Sequence, residues 1–224
     1  MYLFVNGFLL GLLVVLSIIA AVRPVDLTIV PRKEFYPSMV QSSGILCLLL
    51  VGGTLISGTR LPEIGLTFFV PSGPVWYATI GLIVFLCIVL ILTATVPAFR
   101  KRLLPLYQSE AERLILPRTK EERTGFQMVA LMAGVTEELI YRGFLFHTLG
   151  LFLPFSEVSF VWIGAILFGI AHRYQGWFAI LVTGLIGAGF GYLYLALETL
   201  WPLIIIHVLI DLVAVYIYKD DVNS

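Results

Sequence analysis

The chain has 224 residues, of which 59% are hydrophobic and only 12% are charged. Soluble domains are about half apolar and carry about a quarter charged residues, so this composition excludes an ordinary soluble globular protein and indicates a protein of the lipid bilayer. The 14 basic and 14 acidic residues cancel, so the charge gives no reason to expect a nucleic-acid partner, and we expect none.

Seven apolar runs approach or reach the length that crosses a bilayer as a helix, which is about 20 residues. In chain order they are residues 2–22, 39–57, 75–99, 126–149, 158–172, 177–197 and 201–218. These runs are continuous, whereas strands of a membrane barrel would alternate between apolar and polar residues. The predicted fold class is therefore all-α, a polytopic bundle of about seven transmembrane helices, with six to eight as the range.

The connections between these runs predict the orientation. Seven alternating spans place twelve basic residues of the connections on one side and only Arg60 on the other. The positive-inside rule then puts the N-terminus outside and the C-terminus in the cytoplasm of a multi-pass protein of the cell (plasma) membrane. The longest connection, residues 100–124, mixes charged residues with leucines, which suits either an amphipathic helix at the membrane surface or a solvated cytoplasmic loop.

Charged residues and histidines inside the predicted spans are confined to three of the seven. They are Glu137, Glu138, Arg142, His147, His172, His207 and Asp211. A charge at the centre of a membrane helix costs about 2.5–3.5 kcal/mol even on insertion scales, so such residues indicate a functional site that faces the bundle interior. Glycines repeated at helical intervals in the sixth span, by contrast, predict close helix packing.

Spacing groups these residues further. Glu138 and Arg142 lie four residues apart, so they share a helix face and can pair, whereas Glu137 points about 100° away. His207 and Asp211 have the same four-residue interval. With the predicted topology, the groups on the three helices lie at similar depths from the cytoplasmic side. We therefore expect them to converge in a cavity open to the cytoplasm, and we expect His147, which has no such partner, at the interface.

These residue types suit two hydrolytic chemistries. Two histidines and carboxylates can hold a catalytic zinc ion with one open position for water, and a further glutamate can act as general base on that water. Without a metal, a buried glutamate can itself take a proton from water while an imidazole stabilises the oxyanion. The sequence has neither Gly-x-Ser-x-Gly nor His-Glu-x-x-His, so it supports neither a serine hydrolase nor a helix-borne zincin.

Three short motifs resemble those of a protease family. Residues 137–142 read Glu-Glu-x-x-x-Arg, residues 168–172 read Phe-x-x-x-His and residues 207–211 read His-x-x-x-Asp. Together and in this order they resemble the CPBP family of intramembrane endopeptidases, which includes the type II CAAX prenyl proteases and the bacteriocin-processing, Abi-like proteins. The resemblance extends over about residues 124–218.

The resemblance implies roles for the first two motifs. Glu137 would be the base that activates water, and His172 would hold the same water. Glu138 and Arg142 would form a structural or orienting pair. Residues 1–99 would then be N-terminal transmembrane helices and 100–124 a cytoplasmic connection, followed by the catalytic core over 125–218 and a tail over 219–224.

The third motif departs from the family. The resemblance implies that His207 and Asp211 form the oxyanion-binding or metal-binding side of the site, but the CAAX-processing branch typically has asparagine where this chain has Asp211. An ionised aspartate only accepts hydrogen bonds, so Asp211 would have to be protonated, bind a metal or orient His207. If a metal is bound, Zn²⁺ or another divalent ion at His172, His207 and Asp211 is the expectation; the alternative is no cofactor.

The predicted function is therefore hydrolysis of a peptide bond in a membrane-associated protein or peptide, either of the prenylated CAAX type or bacteriocin-like, within the lipid bilayer. One alternative is a non-catalytic membrane scaffold or immunity protein of the same fold. A proton-coupled transporter is a further alternative, but the sequence shows neither the internal repeat nor the matching broken helices that would favour it. Nothing indicates the oligomeric state.

Overall fold

The computed structural model describes residues 1–22, 30–107 and 109–219, and within these residues all regular secondary structure is helical. The α-helices are α1 (Tyr2–Val22), α2 (Arg32–Ser57), α3 (Pro74–Thr95), α4 (Pro97–Leu103), α5 (Glu110–Ile115), α6 (Lys120–Glu138), α7 (Leu145–Phe152), α8 (Glu157–Ala171), α9 (Trp177–Leu197) and α10 (Trp201–Val215). Short 3₁₀ turns occupy Leu61–Ile64, Leu104–Leu106 and Arg173–Gln175, and a π-helical segment occupies Leu139–Phe144.

Each of the seven predicted apolar runs is helical over most of its length, and two of them coincide with α1 and α9. Among the described residues, α2, α3 and α9 are long and apolar enough to cross a membrane, while α8, α10 and the first part of α1 are shorter apolar helices. The all-α class of a membrane protein is thus confirmed. The number of spans and the orientation stay predictions.

Two helix boundaries differ from those that hydropathy alone predicts, and a proline sets the first of them. The predicted run 75–99 is broken at Val96, because Pro97 has no N–H to donate to the Thr93 carbonyl one turn earlier. The buried Arg100 replaces that donor, with its Nη1 2.6 Å from the Thr93 carbonyl oxygen, and Lys219 Nζ lies 2.8 Å from the carbonyl oxygen of Ala94. Two cations thus satisfy carbonyls at the C-terminal end of α3, where the helix dipole also favours positive charge.

The second difference lies at the start of α2, which begins at Arg32 although the apolar run begins only at Met39. Hydropathy marks where the apolar residues begin, whereas the helix also includes the charged residues before them. Pro37 lies inside this helix, so the Lys33 carbonyl lacks the donor that a regular α-helix would supply.

The long connection over residues 100–124 is neither one helix nor an irregular loop. It contains the end of α4, a 3₁₀ turn, α5 and the first turn of α6. A capping box between Ser109 and Glu112 begins α5. Glu122, in the first turn of α6, accepts hydrogen bonds from the backbone N–H groups of Arg118 and Thr119, which precede the helix. Burial raises the pKa of Glu122, but these two bonds and nearby arginines outweigh it, so that the pKa lies below its ordinary value.

The described residues form two compact units, each assembled from segments distant in sequence. The first consists of residues 1–22, 45–71 and 136–203, and the second of residues 30–44, 72–107, 109–135 and 204–219. The predicted segment boundaries, which follow the order of the chain, stay predictions. Of the predicted tail 219–224, only Lys219 lies within the described residues.

In the first unit, α8 and α9 pack closely through glycines. A Cβ atom on Gly169 would lie 2.5 Å from the Ile180 carbonyl oxygen, and one on Gly191 would lie 3.0 Å from Val161. The predicted role of the glycines of α9 in helix packing is confirmed. This close approach is what brings the carbonyl groups of α9 to the functional side chains described below.

In the second unit, an aromatic and aliphatic core that includes Tyr36, Phe126 and Val215 joins α2, α6 and the end of α10. The helices α6 and α10 are closest at Gly134, where a Cβ atom would lie 2.5 Å from Val208 Cγ2 and 3.2 Å from its backbone nitrogen. Position 134 therefore requires glycine.

Candidate active site

The Glu-Glu-x-x-x-Arg motif lies where α6 passes into the π-helical segment. The Leu145 N–H donates to the Ile140 carbonyl five residues earlier, and every residue of Leu139–Phe144 is buried. Gly143 permits this packing, because a Cβ atom there would lie 2.6 Å from the Ile64 carbonyl oxygen. Turns of π-helix inside α-helices are rare and frequently occur at functional sites. The sequence analysis treated residues 126–149 as one α-helix and missed this segment.

Glu138 and Arg142 form a fully buried ion pair. Arg142 Nη1 donates to Glu138 Oε1 at 3.1 Å, and the two side chains are 2% and 1% exposed. The predicted pairing is confirmed. A buried carboxylate is costly unless it is paired, so each side chain depends on the other.

Arg142 also joins two further helices. Its Nη2 donates to the Gly187 carbonyl on α9 at 3.0 Å, and its guanidinium lies over the rings of Phe168 and Phe190, 4.8 Å and 5.3 Å from their centroids. A Cβ atom on Gly187 would lie 3.1 Å from Phe168 Cδ1 and 3.4 Å from Arg142 Nη2, so glycine makes room for this contact. The Glu138–Arg142 pair therefore ties the motif on α6 to α8 and α9.

Glu137, the neighbouring glutamate, lies beside His172. Glu137 Oε2 is 3.8 Å from His172 Nε2, and the two side chains are 27% and 13% exposed. His172 Nδ1 is 2.8 Å from the Phe168 carbonyl oxygen. A carbonyl only accepts, so Nδ1 must carry the proton. In the neutral form of the ring, the lone pair is then on Nε2, the atom that lies near Glu137.

This geometry suits one water molecule shared between the two side chains. A distance of 3.8 Å is too long for a direct hydrogen bond. If a water oxygen lies at hydrogen-bonding distance from both atoms, the angle at that oxygen between Glu137 Oε2 and His172 Nε2 is about 85–95°. This angle is close enough to the angle between the two O–H bonds of water for both bonds to donate. Such a water donates one hydrogen to the Glu137 carboxylate and the other to His172 Nε2.

Two aromatic rings lie against the His172 imidazole. The Phe168 ring lies 4.4 Å from it and tilted, and the Tyr174 ring lies 5.9 Å from it and stacked. His172 ends α8 and adopts φ −91° and ψ 10°, a sparsely populated region in which many active-site residues lie. Tyr174 belongs to none of the three motifs, so no motif predicts its contact with His172.

His207 and Asp211 share one face of α10 in the second unit, as their spacing predicted. His207 Nε2 lies 3.8 Å from Asp211 Oδ2, and the side chains are 12% and 32% exposed. The charge of Asp211 contributes, after burial, to raising the pKa of Tyr107 above its ordinary value. This pair belongs to the second unit, whereas Glu137 and His172 belong to the first, and the predicted convergence of the two pairs stays a prediction.

His147, predicted at the interface, has two polar neighbours in the first unit. The Tyr2 hydroxyl lies 3.1 Å from His147 Nε2, and the Thr59 hydroxyl lies 3.5 Å from it. These contacts join α7 to α1 and to the segment after α2. Local spacing could not predict these partners of His147, because both are more than eighty residues away along the chain.

The donor set for a metal is incomplete within each unit. In neither unit do three described histidine, cysteine, aspartate or glutamate side chains form a group that could hold a metal ion. Glu137 and His172 offer two ligands, and His207 and Asp211 offer two, whereas a catalytic zinc site takes three protein ligands. A divalent metal at His172, His207 and Asp211 therefore stays a prediction, and no step below passes through one.

Comparison with known families confirms the resemblance. Residues 122–213 match the family model described as type II CAAX prenyl endopeptidase Rce1-like. The match includes all three motifs and runs from the first turn of α6 into α10, so α1 to α5 lie outside it. No curated protein and no solved structure gives a significant match to the chain.

Proposed function

We propose that this chain, which over residues 122–213 matches the family model of type II CAAX prenyl endopeptidases of the Rce1-like kind, is an intramembrane endopeptidase that uses activated water. The observation that carries the proposal is the pairing of Glu137 with His172. The glutamate is partly accessible and lies 3.8 Å from the imidazole nitrogen that carries the lone pair of the neutral ring.

In the proposed reaction, Glu137 takes a proton from the shared water, and the oxygen attacks the carbonyl carbon of the scissile peptide bond. His172 holds the water for that attack. The tetrahedral intermediate then collapses, the C–N bond breaks, and Glu137 returns its proton to the leaving nitrogen. The products are a carboxyl group and an amine, and no covalent enzyme intermediate forms.

The other motif residues have supporting roles in this proposal. Glu138 and Arg142 position the site, since Arg142 lies over the ring of Phe168, whose carbonyl accepts from His172. By the family resemblance, His207 donates to the developing oxyanion. Asp211 lies 3.8 Å from His207 Nε2 and orients that ring in place of the family's asparagine.

The substrate is a membrane-associated protein or peptide, of the prenylated CAAX type or bacteriocin-like. We further propose seven spans in the plasma membrane with a cytoplasmic C-terminus, which would present the site to the cytoplasm. This orientation follows from the distribution of basic residues in the connections.

The test is cleavage by purified protein reconstituted in liposomes. The substrates are two fluorogenic peptides of identical sequence that end in a CAAX motif, one prenylated on its cysteine and one not. Glu137→Gln should lower turnover by about 10²–10⁴-fold, the usual contribution of a positioned general base. His172→Gln should lower it by a similar factor. The matched control is Glu157→Gln, which neutralises an exposed glutamate on the first turn of α8.

A folded Glu137→Gln variant with undiminished turnover would contradict the mechanism. Activity before and after a chelator, with metal analysis of the purified protein, decides whether a divalent metal takes part. If the wild type cleaves neither peptide, the membrane proteomes of cells with and without the chain should be compared. The absence of any chain-dependent cleavage product would favour the non-catalytic scaffold or immunity protein.

A further inference from the structure

A groove in the second unit lies between the N-terminal turns of α2 and α6, at the opposite end of α6 from Glu137 and Glu138. Its volume is about 370 Å³, and it is lined by Lys33, Tyr36, Pro37, Thr119, Glu121, Glu122 and Gly125. The two helices come close there because residue 125 is glycine: a Cβ atom would lie 2.9 Å from Tyr36 Cδ2. The groove is thus a built feature of the fold, with an apolar floor and polar rim.

The groove is lined by one basic residue, Lys33, and two acidic residues, Glu121 and Glu122. Glu122 is already engaged, because it accepts from two backbone N–H groups and lies 3.7 Å from Arg32 Nη1. Lys33 and Glu121 are both exposed at the groove, one on each helix. The Lys33 carbonyl adds an acceptor, since Pro37 has no N–H to offer it. The groove therefore offers an ammonium donor beside acceptors for a second ammonium group.

The groove lies at the boundary of the membrane. The helix α2 is a candidate membrane span, and its continuous apolar run begins at Met39. Tyr36 and Pro37 are within about 5 Å of that point along the helix axis, at 1.5 Å per residue. The headgroup region on each side of the hydrocarbon core is about 5–7 Å thick. Lipid headgroups are thus the molecules that the groove meets.

We propose that this groove binds the headgroup of phosphatidylethanolamine. The lipid phosphate pairs with the Lys33 ammonium, and the lipid ammonium donates to the Glu121 carboxylate and the Lys33 carbonyl. The glycerol and first acyl carbons lie on Tyr36 and Pro37. Phosphatidylglycerol has no cation for Glu121, and the quaternary ammonium of phosphatidylcholine has no N–H to donate. The proposal does not depend on the proposed protease function.

The experiment is native mass spectrometry of the delipidated full-length protein. It is titrated with phosphatidylethanolamine, phosphatidylglycerol or phosphatidylcholine of identical acyl chains. The wild type should prefer phosphatidylethanolamine. Lys33→Gln and Glu121→Gln should each lower the affinity for phosphatidylethanolamine about two- to fivefold, which is the effect of losing one exposed ion pair. Lys101→Gln and Glu110→Gln, exposed residues outside the groove, are the matched controls and should leave the preference unchanged.

Two results would overturn the proposal. One is equal binding of the three lipids by the wild type. The other is an undiminished preference for phosphatidylethanolamine in both groove variants. Free phosphoethanolamine is added as a competitor to separate a lipid from a soluble ligand. If it displaces the lipid at equal concentration, the groove recognises a soluble zwitterion and the assignment to a membrane lipid is wrong.

Discussion

The buried ion pair between Glu138 and Arg142 permits a quantitative prediction. Arg142→Met keeps an unbranched apolar side chain but removes the guanidinium group and its charge. It deletes the hydrogen bonds to Glu138 and to the Gly187 carbonyl and leaves a carboxylate that has no exposed surface. Removing one partner of a buried pair costs about 3–5 kcal/mol. Since domains are stable by only about 5–15 kcal/mol, we expect a large loss of stability.

Two companion variants separate the causes. Glu138→Gln leaves Arg142 bound to the Gly187 carbonyl and over two aromatic rings, so it should cost only about 1–3 kcal/mol. In the double variant Glu138→Met with Arg142→Met, no unpaired buried charge remains. We therefore expect the double variant to be more stable than Arg142→Met alone, which is a non-additive result that a thermodynamic cycle measures directly.

The assay is unfolding of the purified protein in mixed micelles by titration with sodium dodecyl sulfate, followed by circular dichroism. Peptide cleavage is measured in parallel under native conditions. If Arg142→Met were as stable as the wild type, the pair would not be buried as described. If the double variant were no more stable than Arg142→Met, the carboxylate that has lost Arg142 would not be the cause of the loss.

Two further predictions concern a helix contact and a helix cap. Gly187→Ala should destabilise the protein by about 1–3 kcal/mol, because the new Cβ atom would press on the Phe168 ring. Gly189→Ala, whose Cβ atom would have nothing within 4 Å, should be neutral or should stabilise the protein by up to about 1 kcal/mol. Equal effects of the two variants in the same unfolding titration would refute the packing argument. The pKa of Glu122 is lowered in the folded state. The ionised carboxylate therefore stabilises the folded protein above the ordinary pKa of 4.5, and this stabilisation is lost as the pH falls below that pKa. The wild type should therefore lose about 0.5–2 kcal/mol relative to Glu122→Gln on acidification, and parallel stability curves for the two proteins between pH 6 and pH 3 would contradict this.

Local spacing predicted the contacts that lie within one helix. The pairs Glu138–Arg142 and His207–Asp211 follow from a helix that repeats every 3.6 residues, and the structure contains both. The contact between Glu137 and His172 could not follow from spacing, because the two residues lie on different helices. Its expectation came instead from the similar predicted depths of the two groups in the membrane and from the family resemblance.

Contacts that depend on how the helices pack cannot be predicted from local sequence patterns. Tyr174 lies two residues beyond its motif, and the Gly187 carbonyl became a partner only because α9 approaches α8 through glycine. The π-helical segment Leu139–Phe144 likewise depends on its burial against other parts of the first unit. The break at Val96, in contrast, was readable, since proline at position 97 removes a helical donor.

The environments of two adjacent glutamates support the proposed division of roles between them. A general base must exchange protons with water in every cycle, so it needs access to water and a geometry that holds one molecule. Glu138 has neither, since its side chain is 1% exposed and is bound to Arg142. Glu137 is 27% exposed and faces His172 Nε2. Neighbouring residues of a helix point in directions about 100° apart. This difference allows Glu138 to stabilise the fold while Glu137 faces the site of the proposed reaction.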